Sequence, residues 1–254
     1  MFSIAALVPS PPILVPELCG GVADAEGTDQ PDPRAVLRAA VLDAVNVLAA
    51  VTGRWTVLGA GAGNGVLGPE TVGTFRGFGV DVRVGLSAAA LTGPARADPR
   101  LPLPALVAGW LRGRVAPEAV AEAHILSADA RPDRCAELGA KLRAELDADE
   151  APRGVLVVAD GAATLSTKAP GYLDERAEAV QNELDRALTA GDRAGIHALD
   201  PALCAELGLS GRPAYQMLAG LFHADPVVET RYRDAPFGVG YHVSLWRPSG
   251  EDVP

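Results

Sequence analysis

The side chains best suited to chemistry fall in four short stretches. The densest follows a strongly apolar run and reads Asp160-Gly161-Ala162-Ala163-Thr164-Leu165-Ser166-Thr167-Lys168. A carboxylate at the end of a buried strand can orient a ligand or move a proton as acid or base. It can equally cap the turn that follows. Thr164 offers a hydroxyl and Lys168 a cation for an anionic ligand, although a loop lysine is also at home in solvent. Ser10 stands among prolines in Val8-Pro9-Ser10-Pro11-Pro12, Asn64 in the glycine run Gly61-Ala62-Gly63-Asn64-Gly65, and Ser210 and Arg212 in Leu209-Ser210-Gly211-Arg212-Pro213. Ser10, Asn64, Asp160, Thr164, Lys168, Ser210 and Arg212 are therefore the candidate ligand-binding residues, with Tyr215 and Gln216 completing the wall.

Metal chemistry is poorly served by spacing. The four histidines, His124, His197, His223 and His242, form no His-x-x-x-His or His-x-x-Glu-like pair, so no local ligand pair exists. His242 alternates with Val243 and Leu245 in an apolar segment; it reads as a partly buried side chain and, with Asp160, as the second acid/base candidate. Cys19, Cys135 and Cys204 lie far apart without a Cys-x-x-Cys, which suggests neither a zinc knuckle nor a disulfide framework and suits a reducing compartment. Gly63-Asn64-Gly65-Val66-Leu67-Gly68 satisfies G-x-G-x-x-G, but a dinucleotide site needs a helix opening in that loop and an acid at a later strand end. Thr74 to Gly79 reads as loop and Asp81 as lying inside a strand, so the glycines are taken as structural.

The elements that must position these residues alternate along the chain. Phe2 to Val8 reads as a buried strand, and Asp32-Pro33 opens a helix whose Val36, Leu37, Ala40, Val41, Ala44 and Leu48 recur at helical spacing. Trp55 to Gly59 and Val80 to Val84 read as the next strands. The Pro-rich residues 94 to 104 form an insertion or connection, and a short helix surrounds Leu106 to Leu111. A strand at His124 to Leu126, a helix from Pro132 to Leu146 and a strand from Gly154 to Ala159 follow. Asp174 is expected to cap a helix through Leu188, Asp200-Pro201 to start another, and Arg212 to Phe222 to form a third. Val227 to Tyr232 and Gly238 to Trp246 are the last strands, joined by the turn Asp234 to Gly238. Tyr172 and Trp246 read as packing residues. Short, continuously apolar strands between helices indicate a sheet covered on both faces, hence one α/β/α sandwich over residues 1–254.

Composition narrows the partners. A chain of 254 residues, 48% hydrophobic and 21% charged, can bury one sizeable core. A net charge of -10 argues against nucleic acid and anionic membrane surfaces. The apolar N-terminus lacks a basic region and runs into closely spaced prolines, unlike a signal peptide. No stretch approaches the roughly 20 apolar residues of a membrane span. The expectation is a cytoplasmic protein.

The order of the segments resembles the LigB-like family, which comprises class III extradiol ring-cleavage dioxygenases and their Memo-type relatives. Val8-Pro9-Ser10-Pro11-Pro12-Ile13-Leu14-Val15-Pro16-Glu17 is similar to the family's opening Pro-His-Pro-Pro run with Ser10 at the metal histidine. The glycine run resembles the loop holding the second histidine, whose position is taken here by Asn64 or a glycine. Val157-Val158-Ala159-Asp160-Gly161-Ala162-Ala163 resembles the strand end that precedes the catalytic histidine, here Ala163. Leu209-Ser210-Gly211-Arg212-Pro213 resembles a Cys-Gly-Arg-His-Pro run, placing the third ligand at Ser210. The resemblance implies a three-layer α/β/α sandwich with a mixed, mostly parallel central sheet, an Fe(II) cofactor in active members, and frequent dimers. It also implies that the metal and proton-transfer positions of this chain carry no imidazole, thiolate or carboxylate, so that no cofactor is expected.

Three readings of different class follow. The first is a LigB-like protein that has lost iron and ring cleavage and binds a small molecule or a protein. The second is an active non-haem iron dioxygenase with rearranged ligands. The third is a metal-free acid/base enzyme using Asp160, with His242 as partner.

Overall fold

The computed structural model describes residues 1–20 and 32–250. In chain order the elements are β1 (Phe2–Val8), α1 (Pro33–Val51), β2 (Arg54–Gly61), β3 (Gly65–Leu67), β4 (Val72–Thr74), β5 (Arg83–Gly85), α2 (Ala88–Thr92) and α3 (Leu103–Val115). There follow β6 (Val120–Ser127), α4 (Pro132–Asp147), β7 (Arg153–Val158), α5 (Ala177–Ala190), α6 (Arg193–His197), α7 (Pro201–Glu206), α8 (Arg212–Gly220), β8 (Val227–Asp234) and β9 (Tyr241–Arg247).

The central sheet has seven strands in the order β3-β6-β2-β7-β1-β9-β8. Its middle four, β6, β2, β7 and β1, run parallel. Antiparallel strands close it on both sides, β3 against β6 and the β9–β8 hairpin against β1. The fold is thus an α/β sandwich around a mixed, mostly parallel sheet.

Alternation along the strands explains the layers. In β1, Ile4, Ala6 and Val8 pack into a cluster with Leu37, Val41 and Leu48 of α1. Phe2, Ala5 and Leu7 point into a second cluster with Leu142 of α4, Leu184 of α5 and Leu218 of α8. A strand buried on both sides has no need of polar alternation, which is why β1 and β7 are largely apolar. The α1 helix opens with Asp32 accepting the Arg34 backbone N–H and Pro33 in its first turn, a side-chain cap plus a residue with no N–H to leave unsatisfied. Its buried stripe is Leu37, Val41, Ala44, Val45 and Leu48, whereas Val36 is exposed.

Several expectations are corrected. Only Arg83–Gly85 of the segment around Val80 to Val84 is a strand, and it pairs with β4 in a separate two-stranded sheet. Asp81 lies outside it, accepting the Thr74 hydroxyl and pairing with Arg76. Phe75–Phe78 is a 3-10 turn rather than loop. The glycine run continues into β3 and opens no helix, so its free N–H groups are not gathered as a pyrophosphate site requires. Asp174 caps no helix directly: α5 starts at Ala177, and Asp174 accepts the Arg176 N–H in the turn before it. The arginine beside it holds the Asp174 carboxyl down at about 2. Trp246 is fully buried, but Tyr172 is 64% exposed with φ of 61°, a left-handed loop residue rather than a packing one. The Pro132, Asp200-Pro201 and Arg212 helix starts stand as expected. Among the described residues no helix is long and apolar enough to cross a membrane.

Helices α4 and α8 pack backbone to backbone. A Cβ on Gly139 would stand 2.3 Å from the Met217 carbonyl oxygen and 2.9 Å from the Gly220 backbone, and backbone cannot step aside as a flexible side chain can. Gly139→Ala is expected to destabilise the chain by about 1–3 kcal/mol. Urea unfolding checks this, and an unchanged midpoint would show that the two helices can separate freely.

Candidate functional site

The parallel strands β1, β2 and β7 end side by side, and a cleft opens beyond their carboxyl ends. Its volume is about 370 Å³, near the small end of the range usual for small-molecule sites. Ser10 after β1, Gly61 and Ala62 at the end of β2, and Asp160 after β7 form the floor. Pro102 to Pro104 at the start of α3, together with Ser210 and Gly211 before α8, form the walls, and Arg100 lies at one side. Ligands in open α/β folds sit at such strand ends because the loops there can diverge without disturbing the sheet.

The floor is built around one contact. Asp160 accepts two hydrogen bonds from Ser10, one from its backbone N–H at 2.7 Å and one from its hydroxyl at 2.5 Å. The register that makes this possible is Val8 opposite Val158, with the Ala159 N–H donating to the Val8 carbonyl at 2.9 Å. Part of the Asp160 surface faces the cleft, yet its carboxyl is crowded by protein, and this burial pushes its pKa up while the two Ser10 bonds pull it down; burial is the larger effect. Beneath it, the Tyr215 hydroxyl donates to the Ala159 carbonyl at 3.0 Å, and burial pushes that phenol well above its usual range.

Ser10, Asp160 and Ser210 are thus brought together in one cleft. The other candidates are not. Asn64 is exposed and its Oδ1 accepts the Ser127 N–H at 2.9 Å. Thr164 is buried, donating its hydroxyl to the Leu207 carbonyl at 3.2 Å. Lys168 is an exposed loop residue. Arg212, 1% exposed, donates to the Ala128 and Ala130 carbonyls and to Gln216; its guanidinium is consumed in holding the start of α8 against the loop before α4. His242 is 1% exposed, with Nδ1 3.4 Å from Asp185 Oδ1 on α5 and a buried Nε2 that has no partner among the described residues. It does not line the cleft.

Arg100, Pro102 and Gly61 were not expected at the site. The Pro-rich stretch carries no periodic signal, and its approach to β2 is a tertiary event that spacing alone cannot report.

Iron is the cofactor that the resemblance implies, so the donor set matters. The cleft offers two serine hydroxyls and one carboxylate whose two oxygens are already occupied by Ser10. Divalent iron of this kind is held by imidazole and carboxylate, and no histidine or cysteine lines the cleft. Among the described residues no group of three or more His, Cys, Asp or Glu is placed to hold a metal. The residues present do not fit the ion.

No family model matches the chain, and no curated protein does. Among solved structures it is similar to the crystal structure of uncharacterized protein JW3007 from Escherichia coli K12. The TM-score is 0.58 at 12% sequence identity, over 96% of this chain and 99% of that one. That likeness is one of fold.

The raised Asp160 pKa has a consequence for stability. In the pH window above the unfolded carboxyl value of about 3.9, the unfolded chain gives up a proton that the folded chain keeps. Folding therefore loses free energy as pH rises through that window, until the raised folded value is passed. Asp160→Asn cannot titrate and keeps an oxygen for the Ser10 N–H. The difference in unfolding free energy between variant and wild type should move in favour of the variant as pH rises from about 4 toward neutrality. Urea titrations across that range measure it, and parallel curves would show that Asp160 titrates as in solution.

Proposed function

We propose that this chain is a LigB-like protein whose cleft has exchanged iron-dependent ring cleavage for the binding of a small molecule. The observation that carries the reading is the make-up of the cleft at the ends of β1, β2 and β7, where Ser10 and Ser210 stand at positions that resemble metal-ligand positions. Hydroxyls and a clasped carboxyl can hydrogen-bond a polar substituent, while Ala62, Pro102 and Leu103 give it an apolar wall. Without imidazole or thiolate donors, nothing in this set would hold a catecholate and dioxygen side by side. A cytoplasmic setting belongs to this reading, and a homodimer is compatible with it.

A second reading has a specific observation in its favour. A carboxyl whose pKa is pushed up by burial, on the floor of a cleft, is suited to general acid/base work without a metal. There Asp160 would hold the proton and Ser10 would fix its direction. His242 would serve only at a distance, since its ring is turned to Asp185.

Anaerobic purification followed by metal analysis and a catechol turnover assay tests the first reading. The expected result is iron far below one per chain and no ring-cleaved product. Near-stoichiometric iron together with ring cleavage would overturn it and restore the dioxygenase reading. Asp160→Asn separates the other two: a substrate turned over equally well by the variant leaves no acid/base role for Asp160.

A further inference from the structure

The cleft contains one cationic and one acidic side chain, Arg100 and Asp160. They are held apart by different means. Asp160 is fixed by Ser10, and the causes that set its proton affinity are burial and those Ser10 bonds, with no cation among them. Arg100 belongs to a segment tied to the small hairpin: the Asp98 N–H donates to the Val72 carbonyl, the Thr74 N–H donates to the Asp98 carbonyl, and the Arg100 N–H donates to Asp98 Oδ1 at 2.8 Å. Its backbone is anchored, yet its guanidinium makes no hydrogen bond or ion pair among the described residues. Ala62, Pro102, Leu103 and Val158 add apolar lining to the same cleft.

This arrangement distinguishes among ligand charges. A cationic ligand would meet Arg100 as a like charge and find an acid already clasped by its neighbour. A dianion would have a single cation to neutralise it, in a chain of net charge -10. A single carboxylate matches the planar, two-pronged donor geometry of one guanidinium. The volume of about 370 Å³ leaves room for a short apolar body beside it.

We propose that the cleft binds a small organic monocarboxylate, its carboxylate on the Arg100 guanidinium, its apolar body against Ala62, Pro102 and Leu103, and any polar substituent at Ser10 or Ser210. This rests on the reading of the cleft as a small-molecule site and adds the class of ligand. Asp160, whose two oxygens accept from Ser10, is not the group that meets the carboxylate. Arg100 is exposed, so its replacement leaves the fold intact.

The test is an amide NMR titration of the full chain with hexanoate, hexanamide and hexylamine, three probes of one body and different charge, read at Ser10, Ala62 and Gly211. Wild type is expected to bind hexanoate about tenfold more tightly than hexanamide, the effect of a charge-assisted hydrogen bond. Arg100→Gln should erase that gap while leaving hexanamide affinity as it was. Equal binding of hexanamide or hexylamine, or a gap that survives Arg100→Gln, would overturn the assignment of ligand class and leave the small-molecule reading standing. If none of the three perturbs the cleft amides, both fall. The metal assay is independent: stoichiometric iron with ring cleavage removes the reading of lost catalysis, whereas the hexanoate preference is still decided by the titration.

Discussion

The structure of the cleft depends on the clasp between Asp160 and Ser10. A carboxyl placed where β7 ends is costly to bury unless its oxygens are satisfied, and the residues able to satisfy it are few. In Pro9-Ser10-Pro11-Pro12 the prolines have no N–H, so Ser10 supplies the one backbone donor of the run as well as a hydroxyl. Both go to Asp160. The clasp extends the β1–β7 pairing past the end of its ladder, and it fixes the direction in which the chain leaves β1. The floor of the cleft is set by the partner of one acid.

The residues beneath the cleft serve the same end. Tyr215 donates to the carbonyl just before Asp160, and Arg212 on the same helix gathers the Ala128 and Ala130 carbonyls from the loop that follows β6. Both side chains spend their donors on backbone carbonyls of neighbouring loops. Ser210 and Gly211, at the start of α8, are carried to the cleft by these two anchors. An arginine so completely used cannot also meet a ligand, which is why Arg100, with its donors unspent, is the cation that matters.

Much of the framework was legible because burial on both faces writes itself into the sequence. β1 and β7 are runs of mainly apolar residues, and α1, α4 and α7 announce themselves by proline in their first turn, with an Asp cap at α1 and α7. The three-residue strands β3, β4 and β5 were not legible, since so short a segment has no period, and Val80 to Val84 reads as a longer strand than the Arg83–Gly85 that forms. At the site, Asp160 and Ser10 were readable from their places after apolar strands. Thr164 and Asn64 were in equally suggestive loops, but the Thr164 hydroxyl is taken by the Leu207 carbonyl and the Asn64 Oδ1 by the Ser127 N–H. Whether a loop hydroxyl faces a ligand or a neighbouring carbonyl is decided by packing that local sequence does not encode.

His242 illustrates how a residue can be near the chemistry in sequence logic and remote from it in space. Its ring reaches Asp185, which accepts from Gln181 Nε2 at 3.1 Å, and Gln181 Oε1 in turn accepts the Ala162 N–H at 2.9 Å. Gln181 fits because two glycines make way: a Cβ on Gly161 or on Gly240 would lie 2.3 Å from its side chain. The Gly161 N–H donates to the Gly240 carbonyl, and the Gly240 N–H donates to the Ala162 carbonyl. The loop that begins with Asp160 is therefore held from one side by Ser10 and from the other by a buried polar chain ending in His242. His242 thus supports the backbone that presents Asp160, and its distance from any ligand is what the two glycines and the intervening glutamine impose.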